Sequence, residues 1–403
     1  MAITELSIRN YRSLRDLRLP LGRLTVVTGP NGSGKSNLYR ALWLIAQISE
    51  GGFARALCRE GGLVSALWAG PRRSKDPWRM SLGFRTEDLS FQLDCGFPIP
   101  SNTLFGYDPQ IKEEAIWMGK VRRPSTTLVD RRGAVARLLD QGGEKVEYPA
   151  TLSENESILS QLREPQRFPE LYSLRDEIRR WRFYHAFRTD ADAPLRFPQI
   201  SVQTPVLDHD GSDLAAALQT ILEIGDARTL QTAIETALPG RALEILANDP
   251  DPTHRSPRTT ELCVALRTEG CLRPLVAREL SDGTLKYLCL VAALLTPRPP
   301  ALIALNEPEA SLHPDLLAPL AELIVDASRY SQVWVTTHSP SLAQAIEARS
   351  RVAPIGLRLI DGETVIAEGG TGDDGDDDAP HPSRHDLPSR ETHPPAAPPG
   401  EER

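Results

Sequence analysis

A glycine-rich octapeptide near the N-terminus carries the clearest chemical pattern in the sequence. It matches G-x-x-x-x-G-K-[ST] at every position. Glycines let backbone N–H groups curl around phosphates, and a helix that begins there adds partial positive charge. We expect Lys35 to contact the β- and γ-phosphates of ATP and the Ser36 hydroxyl to bind Mg²⁺. The predicted nucleotide-binding residues here are Gly29, Pro30, Asn31, Gly32, Ser33, Gly34, Lys35, Ser36 and Asn37.

An acidic segment follows an apolar run late in the sequence. Residues 301–305 predict a buried strand that leads into Asn306-Glu307-Pro308-Glu309. Such a strand delivers a metal-side group, here Asn306, and then a carboxylate that can polarise the attacking water. We therefore predict Glu307 as the general base. Because an amide lacks the negative charge that favours Mg²⁺, Asn306 predicts slow turnover, or a switch that binds more than it hydrolyses.

Three further segments lie at element boundaries around this acidic segment. Residues 281–283, Ser-Asp-Gly, open a helix about twenty residues upstream, and Ser311-Leu312-His313-Pro314 follows downstream. Strand 332–336 then ends at Thr337-His338, and ligands bind at that edge of an α/β sheet. Taken alone, Ser281 is better read as a helix N-cap, and a lone histidine at the position of His338 is more often structural.

The elements that must position these residues alternate between strand and helix. Residues 24–28 predict a strand before the glycine-rich loop, and a helix begins near Asn37. Asp361-Gly362 predicts a final hairpin. This alternation indicates an α/β fold with parallel crossovers. The later predicted elements are helix 284–295, strand 301–305, helix 315–327, strand 332–336, helix 341–347 and strand 357–360.

The other segments of the sequence show a less regular pattern of strands and helices. We predict an inserted lid or arm, with a charged helix near 170–187, and a disordered C-terminal tail rich in Gly, Asp and Pro. Helices near 213–224 and 227–238 have Asp213 and Asp226 as expected caps. Strands are expected at 242–247, 261–267 and 272–277. The predicted divisions are 1–95 and 200–368 for the two parts of the head, 96–199 for the insertion and 369–403 for the tail.

Composition sets broad limits on the class of protein. The net charge of −8 divides into −6 for residues 369–403 and −2 for the rest, so any nucleic-acid contact needs a local basic patch. The five cysteines are scattered, which favours reduced, buried thiols. No apolar run reaches the roughly 18 residues of a membrane span, and the N-terminus lacks a secretory pattern. We expect a soluble, cytoplasmic protein without a membrane partner.

Together these motifs resemble the ABC-type ATPase heads of the SMC, RecF and OLD-like group of P-loop ATPases. The opening at residues 8–13, Ile-Arg-Asn-Tyr-Arg-Ser, also resembles that group, in which the residues matching Arg12 and Ser13 lie close to the nucleotide. The resemblance implies an ATP-driven, head-to-tail homodimer. In such a dimer Ser281, Asp282 and Gly283 would meet the γ-phosphate held by the other subunit, and His338 would sense it. The glutamine that usually couples nucleotide to the lid is not placed: Gln47 lies too early, and Gln92 and Gln110 remain candidates.

Three functions fit an ATPase of this kind. The first is an ATP-gated machine for DNA repair or genome maintenance. Its DNA-contacting arginines, which are equally well read as a solvated surface, would be Arg122, Arg123, Arg131, Arg132, Arg179, Arg180 and Arg182. The second is a defence ATPase that regulates a separate effector nuclease. The third, a transport ATPase, is disfavoured by the opening and acidic segments.

Overall fold

Short apolar runs build a parallel sheet at the centre of the structure. The computed structural model describes residues 2–71, 78–99, 104–148, 152–248 and 260–367. Every residue of the neighbouring strands 302–306 and 332–336 is buried, as is typical of strands covered on both faces. The strand order is β10-β15-β16-β3-β17-β18, parallel except for the last pair. These strands are β3 (Leu24–Thr28), β10 (Arg182–Tyr184), β15 (Leu302–Asn306), β16 (Gln332–Thr336), β17 (Ile355–Ile360) and β18 (Glu363–Ile366).

A larger antiparallel sheet covers one side of the first helix. Its strands pair with their sequence neighbours except where β1 pairs with β4, and alternation of apolar and polar residues gives it one buried and one open face. The order is β2-β1-β4-β5-β6-β7-β8-β9. These strands are β1 (Ile3–Tyr11), β2 (Leu14–Pro20), β4 (Arg79–Thr86), β5 (Leu89–Gly96), β6 (Gln110–Met118), β7 (Thr127–Arg132), β8 (Val135–Leu139) and β9 (Lys145–Glu147).

A third, small sheet and a set of helices complete the described part of the chain. The sheet has the order β11-β13-β12, with β14 also paired to β13. Its strands are β11 (Gln199–Ile200), β12 (Arg241–Asn248), β13 (Glu261–Thr268) and β14 (Leu275–Val276). The helices are α1 (Lys35–Glu50), α2 (Phe53–Arg59), α3 (Gly62–Ala66), α4 (Ile158–Gln161), α5 (Pro169–Arg179), α6 (Leu214–Ile224), α7 (Ala227–Ala237), α8 (Asp282–Leu294), α9 (Leu317–Ala327) and α10 (Pro340–Ser350).

The parallel sheet separates two hydrophobic cores. Alternate side chains of a strand point to opposite faces. Accordingly, Ala304 and Trp334 join the core that contains α1 and the antiparallel sheet, whereas Ile303 and Val335 join the core that contains α6, α8, α9 and α10. Because β3, β15 and β16 are parallel, their carboxyl ends lie at one edge of the sheet. The two cores pack against the two faces of these strands.

Most of the predicted elements around this edge are confirmed. Strands 24–28 and 332–336 occur as expected, and the helix and strand predictions between residues 284 and 360 are correct to within a few residues. The hairpin at Asp361-Gly362 joins β17 to β18, with φ of +50° and +81° at the two turn residues. Asp226 caps α7 by accepting from the N–H of Thr229.

Several predictions were wrong, each for a local reason. The helix expected to reach residue 187 ends at Arg179, because residues 182–184 pair with β15 as an edge strand. Asp213 does not cap α6; its carboxylate accepts from the N–H of Asp208 instead. The strand expected at 272–277 shrinks to two residues and is followed by a 3₁₀ turn.

Two expectations about surface and core also change. Cys58 and Cys271 are exposed, while the other three cysteines are buried. Residues 96–199 do not stand apart, because they supply β6 to β9 of the antiparallel sheet and β10 of the parallel sheet. Their action as a lid stays a prediction, and residues 369–403 lie outside the described part. In the described ranges no helix is long and apolar enough to cross a membrane.

Candidate nucleotide site

The glycine-rich loop between β3 and α1 adopts a conformation that only glycine tolerates easily. Gly29, Gly32 and Gly34 have φ of +150°, +81° and +100°. A Cβ atom on Gly34 would lie 2.0 Å from the hydroxyl oxygen of Thr364. The tip of the loop is exposed, and α1 begins at Lys35. The loop thus presents backbone N–H groups and a helix N-terminus to an anion.

A chain of hydrogen bonds supports the loop from below. The side-chain amide of Asn37 donates to the hydroxyl of Ser13 over 2.8 Å, and this hydroxyl lies 2.7 Å from that of Thr364. The Thr364 hydroxyl donates to the backbone carbonyl of Ser33 over 3.0 Å. The bonds can therefore run in one direction, with Ser13 donating to Thr364. The last strand of the sheet thereby fixes the loop and the N-terminal turn together.

Lys35 turns back onto its own loop. Its ammonium group donates to the carbonyls of Gly29 and Pro30 over 2.6 and 3.0 Å. Burial lowers the pKa of Lys35, and the charges of Glu307 and Glu309 oppose that shift. The ammonium group is thus held between the loop carbonyls and the acidic segment, where a phosphate can replace the carbonyls as its partner.

The acidic segment begins where β15 ends. Asn306 is buried; its side-chain oxygen accepts from the Thr336 hydroxyl over 2.7 Å, and its amide nitrogen lies 3.0 Å from Nδ1 of His185. Glu307 has φ of +48°, and its N–H donates to the Thr336 carbonyl over 2.8 Å. A non-glycine residue in this region costs about 1 to 3 kcal/mol, and such strain clusters at functional sites. The Glu307 side chain is partly exposed.

The loop after β16 lies against this segment. His338 places Nδ1 3.8 Å from a carboxylate oxygen of Glu307 and 3.3 Å from one of Glu309. His338 also lines a cavity of about 450 Å³ together with Gly29 and Pro30. The structure therefore brings the predicted histidine, the predicted base and the glycine-rich loop to one sheet edge.

The segment at Ser281 is connected to the acidic loop within the same chain. Ser281 is the N-cap of α8 and accepts from the N–H of Thr284 over 3.3 Å, so the capping interpretation is confirmed. One turn on, the Lys286 ammonium donates to the carbonyl of Ala310 over 2.5 Å, and burial lowers the pKa of Lys286 against the charges of Glu309 and Glu307. A Cβ on Gly283 would lie 2.8 Å from the carbonyl oxygen of Ser311.

The Ser281–Gly283 segment faces a different cavity from the glycine-rich loop. Ser281, Asp282 and Gly283 line a cavity of about 790 Å³ together with residues 311–316. Arg196 holds the approach to this segment: it donates to the carbonyls of Ala277 and Leu280 over 3.0 and 2.9 Å and pairs with Asp282 over 2.5 Å. Arg196 thus anchors the segment, and the lining of the segment's cavity does not include the glycine-rich loop.

Arg12 and Ser13, in the turn between β1 and β2, have different partners. Ser13 joins the support of the glycine-rich loop, whereas Arg12 pairs with Glu60 over 3.0 Å. Tyr11 also donates to Glu60, over 2.6 Å, and burial and this carboxylate raise the pKa of Tyr11. Gln92 bonds to Asp94 and Gln110 to Glu154, so both candidate glutamines have other partners. Proximity of Arg12 to a nucleotide stays a prediction.

The residues present fit Mg-ATP. The Ser33 hydroxyl is buried and has no partner in the described structure, and the Gly34 position has no room for a side chain. Ser36 lies in the first turn of α1 and is exposed, so its hydroxyl is accessible to a bound cation. Ser36 would therefore hold Mg²⁺ directly. Both amide atoms of Asn306 have protein partners, and its part in metal binding stays a prediction.

Sequence comparison accounts for most of the chain. Residues 24–343 match the family described as "AAA domain, putative AbiEii toxin, Type IV TA system". The chain belongs to this AAA domain family. The match confirms the predicted P-loop ATPase domain, and the sheet order described above confirms the predicted α/β class.

The individual proteins that resemble this AAA domain chain match it over a short segment or at low sequence identity. A 43-residue segment is 46% identical to the OLD nuclease of Thermus scotoductus; it covers 11% of this chain and 8% of that protein. Among solved structures, the Smc head bound to the C-winged helix domain of ScpA has a TM-score of 0.49 at 16% identity, over 91% of this chain and 97% of that chain. The SMC head domain from Thermotoga maritima has a TM-score of 0.40 at 16% identity, over 92% and 100%.

Four residues of the site were not predicted from the sequence of this AAA domain chain. Thr364 and Arg196 are distant in sequence from the segments they support, and nothing local marks them. His185 was assigned to a helix, although it follows the edge strand β10. Lys286 could have been found, because it lies one turn after Ser281 on a helix whose other face is apolar.

Proposed function

We propose that this chain binds and hydrolyses Mg-ATP at the edge formed by β3, β15 and β16. The observation that carries the proposal is the meeting of Lys35, Glu307 and His338 at one sheet edge, beside a glycine-rich loop shaped for phosphates. Lys35 would bind phosphate oxygens, and Glu307 would accept a proton from the attacking water. His338 would contact the terminal phosphate from the opposite wall. Bound Mg²⁺ would neutralise phosphate charge.

Turnover is proposed to be slow. Asn306 is neutral, and its amide oxygen and nitrogen face Thr336 and His185. The metal side of the site therefore lacks a carboxylate at the end of β15, where negative charge would favour Mg²⁺. An enzyme of this kind is suited to hold ATP for long periods, so that binding rather than hydrolysis defines its working state.

ATP is proposed to join two copies head to tail. Ser281, Asp282 and Gly283 lie at the N-terminus of α8 and line a cavity whose lining does not include the glycine-rich loop. A second copy that presents this helix N-terminus to the phosphates would complete both sites at once. Nucleotide binding would thereby be converted into dimer geometry.

The dimer is tested by trapping it. Glu307→Gln removes the base and keeps the shape of the side chain, so this variant should bind ATP without releasing it. Its molar mass, measured by light scattering with Mg-ATP, should be twice the 44.4 kDa of the chain, and it should return to the single mass with Mg-ADP. Lys35→Ala is the matched control and should stay at the single mass. A Glu307→Gln variant that never leaves 44.4 kDa would contradict the head-to-tail assembly.

DNA is the proposed partner of the dimer, because the open face of the antiparallel sheet carries a basic trough. Two adjoining cavities of about 300 and 350 Å³ share Arg122. Two acidic residues, Glu5 and Asp130, also line them. The indole N–H of Trp117 and Nε of Arg85 are buried there without acceptors. The basic trough consists of Arg9, Arg18, Arg85, Lys120, Arg122, Arg123, Arg137 and Lys145.

The trough revises the arginines expected to contact DNA. Arg122 and Arg123 belong to it, but Arg131 does not, because its side chain is fully buried against Glu114. Arg179 and Arg180 lie elsewhere, at the end of α5. A trough of donors and cations on a body of charge −2 fits a polyanion better than a neutral ligand.

The DNA proposal is tested by charge reversal and salt. The double variant Arg18→Glu, Lys120→Glu should bind a labelled duplex at least about tenfold more weakly, and its log–log salt dependence should be shallower by about two phosphate contacts. Arg228→Glu, an exposed reversal on α7, is the control and should bind as the wild type does. Unchanged affinity in the double variant would remove the basic trough from DNA binding.

A defence ATPase that regulates an effector nuclease is the second candidate. The family description names a toxin of a type IV toxin–antitoxin system, and the 43-residue match is to an OLD nuclease. The same Mg-ATP site would then drive a protein partner rather than a repair reaction. ATP-dependent dimerisation without any response to DNA would favour this candidate. In either case we propose that the protein works in the cytoplasm.

A further inference from the structure

Glu309 is a buried carboxylate that links the two loops of the candidate site. Its side chain is 5% exposed. One carboxylate oxygen accepts from the Thr337 hydroxyl over 2.5 Å and from the N–H groups of His338 and Ser339 over 3.0 and 3.2 Å. These bonds tie the loop after β15 to the loop after β16. They also hold the backbone of His338, which lines the cavity beside the glycine-rich loop.

The second oxygen of the same carboxylate is unused. Oε2 of Glu309 is buried and has no hydrogen-bond partner among the described residues. A buried charge is costly unless it is paired, so an orphaned carboxylate oxygen indicates a partner that arrives with the ligand. The charge already reaches the site, because it raises the pKa of Lys35 and of Lys286 against the effect of burial.

Asn306 presents the opposite case. It stands at the end of β15, where a carboxylate would serve the metal, yet it is neutral. Its amide is occupied on both sides, by Thr336 and by His185. The chain thus lacks an acidic residue at the expected position and carries a buried one three residues later.

We propose that Glu309 supplies the negative charge that Asn306 lacks and holds His338 beside the phosphates. It is a positioning residue, acting on Mg²⁺ through its charge and on the nucleotide through the 337–339 loop. The assignment rests on the proposed Mg-ATP site. It predicts that the acidic charge can be moved between the two positions without loss of cation binding.

The test is the Mg²⁺ requirement for nucleotide binding. A fluorescent ATP analogue is held at fixed concentration, and Mg²⁺ is titrated into the wild type, Glu309→Gln, Asn306→Asp and the double variant. Glutamine keeps the volume of the side chain and an oxygen for the three donors, so it isolates the charge. Glu309→Gln should raise the half-saturating Mg²⁺ concentration about tenfold or more, in the range found for residues that support metal ligands. The double variant should return close to the wild type, since it regains a carboxylate at residue 306.

The controls separate charge from folding. Glu322→Gln, an exposed change on α9, should leave the Mg²⁺ titration unchanged. Thermal unfolding shows whether each variant is folded.

The remaining outcomes of the Mg²⁺ titration contradict either the role of Glu309 or the proposed Mg-ATP site. A Glu309→Gln variant with the wild-type Mg²⁺ requirement would overturn the inference, and so would a double variant no better than Glu309→Gln alone. If the wild type itself fails to bind the analogue with Mg²⁺, the proposed function fails instead. The same titration therefore distinguishes the two.

Discussion

Removing the Thr364 hydroxyl tests how the phosphate loop is held. Thr364 is buried, its hydroxyl donates to the Ser33 carbonyl over 3.0 Å, and it lies 2.7 Å from the Ser13 hydroxyl. Thr364→Val keeps the shape and removes both bonds. Each net hydrogen bond contributes about 1 kcal/mol, and a buried group left unpaired costs about 1 to 3 kcal/mol. We expect the variant to lose about 2 to 3 kcal/mol of unfolding free energy.

The same change should weaken ATP binding, because the loop loses its support. An effect of about 1 kcal/mol corresponds to about fivefold in the dissociation constant. Urea unfolding and titration with a fluorescent ATP analogue measure the two effects. Thr364→Ser keeps the hydroxyl and is the matched control; it should bind ATP as the wild type does. A valine variant that matches the wild type in both measurements would refute this account of the loop.

Three further changes probe the parts around the site. Arg131→Met leaves the Glu114 carboxylate buried without its partner, so urea unfolding should show a loss of about 3 to 5 kcal/mol; a loss below about 1 kcal/mol would contradict the buried pair. Burial raises the pKa of Glu156 to about 7, so the folded state binds more protons and stability falls as pH rises from about 4.5 to 7. Glu156→Gln should therefore stabilise the protein at pH 8 by about 1 to 2 kcal/mol, less than the full shift because the group is partly solvated, and have little effect at pH 4.5; an equal effect at both values would contradict the linkage. Arg196→Met should keep ATP binding in the analogue titration but lose the ATP-dependent rise in molar mass, because the segment before α8 loses its anchor; a normal rise would show that this anchor is dispensable.

The chemistry of the site could be predicted because it is local in sequence. The glycine-rich loop, Glu307 and His338 each follow a compact apolar strand, and parallel strands bring their carboxyl ends to one edge. Strands and helices differ in the period of their apolar residues and in their length, and both can be read from the sequence. The α/β class and the nucleotide-binding loop followed from those patterns alone.

The supports of the site could not be predicted, because they depend on tertiary pairing. Thr364 reaches Ser33 across more than three hundred residues, and Arg196 reaches Leu280 across eighty-four. Arg131 looked like a surface cation, yet the fold buries it beside Glu114. The edge strand β10 lies in a charged stretch that favours a helix, and only its pairing with β15 decides otherwise. Pairing partners of this kind leave no local signal in a single sequence.

The most direct test of the central claim is phosphate release from ATP by the purified chain in Mg²⁺. The wild type should release phosphate slowly but steadily. Lys35→Ala, which cannot hold the phosphates, and Glu307→Gln, which cannot activate water, should both fall to the background rate. A Glu307→Gln variant that hydrolyses ATP at the wild-type rate would contradict the assignment of this sheet edge as the catalytic site.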